Sequence, residues 1–168
     1  EWEAQLDALR NDVLNGSYSI RVETRSNAEL QGLYAAYSAT GSTGQPTIYL
    51  NAGYLAGANA EQVQQLLIEE IGHDIDQRLN GGLDSEGDEG HAFAALLTTG
   101  NADLAANQIR GDHHTLAIDG VPLAVESASP YNIAQVHFVP MPEDQIWSGI
   151  QNIYSSSSDN KIESIIAI

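Results

Sequence analysis

The sequence predicts an α+β fold, a small sheet packed on one long helix, with a C-terminal β-hairpin and an extended tail. Three observations carry this. Residues 60–79 hold a long apolar stripe at helical spacing, Thr47–Asn51 is a short apolar run of strand type, and residues 115–126 alternate around Asp119-Gly120 as a hairpin does. With 168 residues, 42% of them hydrophobic, the chain can bury an ordinary core.

The elements follow in order. Trp2, Leu6, Leu9 and Val13 recur at helical spacing, and Asn15-Gly16 stops that helix. Residues 18–24 alternate apolar with polar and read as a strand. Residues 28–38 stay open between helix, favoured by propensity over 28–33, and strand, favoured by the alternation of Leu33, Ala35 and Tyr37. Residues 41–44 are a loop, and 47–51 a second strand. For the long helix, Asn59 is a natural cap and Glu61 suits the positive end of the dipole. Val63, Leu66, Leu67, Ile71, Ile75 and Leu79 form its stripe, and Asn80-Gly81-Gly82 ends it. An acidic loop follows, then a helix over 90–99 and a short one near 101–109.

After the hairpin the character changes. Val136–Val139 is strand-like, Pro140-Met141-Pro142 breaks the chain, 143–153 is helical in pattern, and Ser155–Ser158 is low complexity. Residues 1–127 are therefore expected to form one domain, and 128–168 an arm or the start of a following extracellular module. Both ends look cut, so the chain reads as a piece of a larger polypeptide.

Six basic against 23 acidic residues give a formal charge of −17. Nucleic acid and anionic membrane surfaces are poor partners for such a chain. A medium rich in salt or divalent cations suits it. The absence of cysteine excludes a thiol nucleophile, a thiolate metal site and disulfides. No leader and no transmembrane run is visible in these residues.

The residues with most chemistry are Glu69-Glu70-Ile71-Gly72-His73. On a helix, Glu69 and His73 stand four apart on one face and can reach one ion. Glu70, three before His73, can hold a water beside it and act as general base. Zincin proteases use His-Glu-x-x-His in this way, and here glutamate replaces the first histidine. A carboxylate can ligate zinc at about 2.0–2.2 Å, although it also favours harder ions such as calcium. Glu89, after the connecting loop, is the expected third ligand, and Asp76 a partner that orients the imidazole or binds directly. A lone Glu-x-x-His pair is more often merely solvated. The apolar opposite face and the small Gly72 raise the metal reading to even weight.

The loop has a reading of its own. Asp84, Glu86 and Asp88 alternate like the first ligands of a calcium loop, but the glycine comes late, at Gly90, and no later glutamate closes the set. A calcium site and a solvated turn weigh equally there. His91, His113 and His114 are surface candidates. Adjacent histidines on a strand face opposite sides, so they rarely share an ion, though one can approach the site as a donor.

The run from Leu66 to Asp76, the loop Asp84–Gly90, and Gly111–His113 with Ile118–Gly120 resemble a domain of large secreted bacterial, often cyanobacterial, proteins that carry hemolysin-type calcium-binding repeats. The likeness covers residues 15–127 and includes the strand Thr47–Asn51. It implies secretion or a cell-surface location, calcium-rich surroundings and a zincin-like core, with Glu70 as base and Glu69 and His73 as ligands. The expected function is a metal-dependent peptidase, with zinc or calcium as cofactor. It would act on a peptide or protein, including its own precursor. The alternative is a non-catalytic, calcium-stabilised module of an adhesin.

Overall fold

The computed structural model describes residues 2–81, 88–100, 113–128 and 141–166, with side chains described as far as residue 155. The order is α1 (Trp2–Asn15), β1 (Arg21–Arg25), β2 (Ala35–Ser38), β3 (Thr47–Asn51), α2 (Ala52–Leu55), α3 (Ala60–Asn80), α4 (Glu89–Thr99), β4 (His114–Ile118), β5 (Val121–Val125) and α5 (Glu143–Ile166). This is an α+β arrangement.

The central strand is β3, parallel to β1 on one side and antiparallel to β2 on the other. All five of its residues are buried, which explains why it reads as a continuous apolar run rather than an alternating one. The ambiguous stretch 28–38 resolves into both a turn and a strand. Gln31 and Gly32 take positive φ there, which ends any helix before β2 begins. The short helix α2 has no apolar periodicity to announce it. It exists because the Asn51 side chain caps it, accepting from the N–H groups of Gly53 and Tyr54.

The hairpin β4–β5 turns on Asp119-Gly120, both at positive φ as a two-residue hairpin loop requires. Leu116, Ile118, Leu123 and Val125 point inward against Leu30, Ala36 and Tyr49. Beyond β5 the chain makes one further pairing: Glu126 and Tyr37 exchange both backbone hydrogen bonds, at 2.8 and 2.9 Å. The hairpin thereby extends the edge of β2.

α3 packs on this surface through Leu66, which joins Ala35, Tyr37, Ile48 and Leu50. Its far end packs through Ile75 and Leu79 into a second core with Leu9, Phe93, Leu96, Trp147, Ile150 and Tyr154. Residues 143–154, expected as part of an arm or a following module, thus lend three buried side chains to the core that α1, α3 and α4 share. The tail is helical from Glu143, and α5 runs through the serine tract. Both ends of α3 carry the expected stops, an Asn59–Gln62 capping box and Gly81 in the left-handed region.

A buried carboxylate fixes the roll of α3. Asp74 accepts from the Tyr37 hydroxyl at 3.1 Å, the Tyr18 hydroxyl at 2.9 Å and Arg78 Nε at 2.7 Å. Burial and the Asp74 charge push both tyrosine hydroxyls well above their ordinary titration range. The preceding residue, His73, faces Glu126.

Candidate metal centre

Glu70 and His73 have no exposed surface at all. Two groups of close-packed atoms enclose them. On the side of α4, Gly72 and Gly90 let the two helices meet. A Cβ on Gly90 would lie 2.5 Å from the Glu69 carbonyl oxygen and 2.6 Å from His73 Nε2. On the other side, the segment after β5 crosses α3. Glu126 Oε2 stands 2.7 Å from His73 Nδ1, a close ionic contact that is not aligned as a linear hydrogen bond. Glu70 Oε1 accepts the Ala128 N–H at 3.0 Å.

Three buried polar atoms of the pair have no hydrogen-bond partner, His73 Nδ1, His73 Nε2 and Glu70 Oε2, although Nδ1 lies close to Glu126. Such atoms carry a full desolvation penalty and call for an explanation. Burial raises the Glu70 carboxyl to about 8. His73 and the Ala128 N–H pull it down in part, while Glu69 and Glu126 push it further up. For His73, burial alone would lower the value. The contact with Glu126, its charge, and the charges of Glu70 and Asp88 outweigh that and raise it to about 10. Acidic groups thus surround the imidazole, and their charges favour its protonated form.

Asp88 belongs to the His73 side, where its charge acts, and its Oδ1 also caps α4 by accepting from His91 N–H at 2.8 Å. Glu69 acts on Glu70. Asp76, Glu89 and Glu126 all act on Tyr154, whose hydroxyl donates to the Gly72 carbonyl at 2.9 Å. Asp76 accepts from Asn80 Nδ2 at 2.6 Å. The carboxylate against His73 Nδ1 is that of Glu126. Asp84 and Glu86 lie outside the described residues, as does the helix expected at 101–109. His113 and His114 are exposed at the start of the hairpin. Among the described residues, no three His, Asp or Glu side chains stand at metal-ligand spacing.

Sequence reasoning missed Glu126 and Asp74. Glu126 has no motif around it; its only signal is its position one residue past an alternating strand. Asp74 was visible as a charge beside the apolar stripe, but its partners come from α1's end and β2.

His73 Nε2 and Glu70 Oε2 are buried polar atoms without a hydrogen-bond partner, and among the described residues no group of three His, Asp or Glu side chains gathers to hold an ion. Nε2 is buried and without a partner. Gly90 packs closely against that nitrogen, and a Cβ there would lie 2.6 Å from it. The other ring nitrogen faces a carboxylate, as it does in most metal-ligating histidines. An imidazole with carboxylates suits zinc or a similar transition ion, whereas calcium prefers oxygen alone. No family model matches the chain, and no curated protein and no solved structure matches it.

Proposed function

We propose that this chain is a divalent-metal-binding domain, with His73 as the imidazole ligand and acidic residues at the start of α4 beside it. The ion serves the fold by tying α3 to α4. The observation that carries this is the wholly buried His73, with Nε2 unpartnered and Nδ1 against Glu126. Sites without solvent access are the ones that hold structural metals, since catalytic sites keep an open position. A net charge of −17 supports a role in a salt- or cation-rich medium. In this reading the domain belongs to a larger secreted or surface polypeptide.

The test is calorimetric titration of chelator-treated protein with zinc, then with calcium, alongside melting curves. One zinc equivalent should bind, and a hundredfold excess over Kd should stabilise by about 2.7 kcal/mol. His73→Ala should lose both responses. No binding and no thermal shift in the parent protein would sink the reading.

A second reading is a metal-dependent peptidase of zincin type. The unpartnered Glu70 Oε2 favours it, because a carboxylate oxygen free beside an imidazole ligand can hold and deprotonate a water. In that case zinc-loaded protein cleaves peptides, including its own precursor, and Glu70→Gln abolishes cleavage while zinc stays bound. Absence of cleavage across a mixed peptide library leaves the structural role.

A further inference from the structure

We infer that Glu126–Ala128 is a strap over Glu70 and His73, a segment that lifts off while the rest of the fold stays closed and is the route by which a solute reaches the pair. The lifting requires neither a bound ion nor a reaction, so it goes beyond both readings above.

The pair has two covers, and they differ in strength. On one side α3 meets α4 through Gly72 and Gly90, where a Cβ on Gly72 would stand 2.7 Å from the Gly90 Cα. Phe93 and Leu96 of α4 are buried there in one core with Ile75 and Leu79, so parting these helices breaks that core. The strap on the other side offers less. Ser127 and Ala128 have little side chain to bury, and Ala128 adds a single methyl to the core beneath the sheet. Among the described residues its ladder to β2 is one bridge, Glu126 with Tyr37. Two residues later the Ala128 N–H turns instead to Glu70 Oε1 at 3.0 Å. Glu126 Oε2 lies 2.7 Å from His73 Nδ1, yet Nδ1, Nε2 and Glu70 Oε2 are all buried with no hydrogen bond. Closed, the strap keeps three polar atoms from water without replacing the bonds they lose. Lifted, it returns them to water, which offsets part of what the opening gives up. Segments with few buried apolar contacts are the ones that open below global unfolding.

Both flanks hold without the strap. Val125 is set beneath the hairpin with Leu116, Ile118 and Leu123. Beyond the strap, α5 returns to the core through Trp147, Ile150 and Tyr154. The contacts of Asp74 with Tyr18, Tyr37 and Arg78 fix α3 separately. The strap therefore moves between two anchored elements.

Two measurements on the whole chain test this. Native-state hydrogen exchange of the parent protein at low urea needs no variant. The amides of Tyr37, Glu126 and Ala128 should exchange together, about tenfold or more faster than those of the β2–β3 and β4–β5 ladders. Their urea dependence should also be the smaller, because a local opening exposes little surface. Exchange of any of the three at the ladder rate, with the ladder's urea dependence, overturns the inference. The second measurement uses the absence of cysteine, which lets one introduced thiol report its own site. Ala128→Cys under the strap and Ala94→Cys on α4 start from the same burial, 2% exposure each. Relative to the global unfolding rate of its own variant, the thiol at 128 should react with a thiol reagent about tenfold or more faster than the thiol at 94. Equal rates, or a faster thiol at 94, overturn the inference, since the α4 side is then no weaker a cover than the strap.

Discussion

Gly72 and Gly90 face each other across the α3–α4 contact so closely that a Cβ on Gly72 would come 2.7 Å from the Gly90 Cα and 3.0 Å from Phe93 Cβ. The helices cannot approach this far with any larger residue at either place. Gly90→Ala should therefore destabilise the domain by about 1–3 kcal/mol, the usual range for an overpacked core. The new methyl would press on a backbone carbonyl and on the His73 ring. Urea denaturation reads the loss, and the same variant should bind zinc more weakly than its stability alone explains.

The Asp74 network should behave as a unit. Tyr37→Phe and Tyr18→Phe each remove one hydroxyl from a buried carboxylate, at about 1.5–3 kcal/mol for a hydrogen bond to a charged group. Their effects should not add, because the remaining donors share one acceptor. A double-mutant cycle in urea measures the coupling. A sum within 0.3 kcal/mol of simple addition, the range of about 0.3–0.5 found for independent sites, would show the two hydroxyls to be separate.

Acid should loosen the junction of β1 with the hairpin turn. Arg25 donates to both oxygens of Asp119 at 2.7 Å and to Glu23 at 2.6 Å. Its hydrogen bonds are the main reason both carboxyls titrate below their ordinary values of 3.8 and 4.5. A carboxyl lowered in the folded state stabilises above its unfolded value and loses that contribution as pH falls through the folded one. The melting temperature should thus drop as pH falls below about 4, and Asp119→Asn should flatten part of that limb. The groups lie at the surface, so the effect should be small and should shrink further in high salt.

Trp147 should report whether α5 melts with the rest. It is buried with Leu9, Ile75 and Phe93, and Arg10 stacks over its ring at 5.8 Å. Trp147→Ala should cost about 3–5 kcal/mol and lower one shared transition in calorimetry. A main transition that does not move would mean that α5 is an independent appendage.

How much of this was legible depended on how local each cause is. Asn59, Gln62 and Gly81 define α3 within a few residues of its ends, so its bounds could be read directly. Asp119-Gly120 did the same for the hairpin. The roll of α3 about its axis was not legible, because Asp74 sets it through Tyr18 and Tyr37. Spacing alone groups Glu69, His73, Asp76 and Glu89, and it cannot announce that Tyr154 of α5 joins Asp76, Glu89 and Glu126 there. Glu126 reaches His73 only through a strand pairing with Tyr37, and no local pattern encodes that.

That pairing also orders events in time. Tyr37 and Glu126 are far apart in the chain, while the hairpin and α3 are built from neighbours. Closing so long a loop is entropically costly and comes after local structure has formed. The surroundings of His73 are thus completed late in folding, as a seal on a nearly finished molecule rather than as its nucleus.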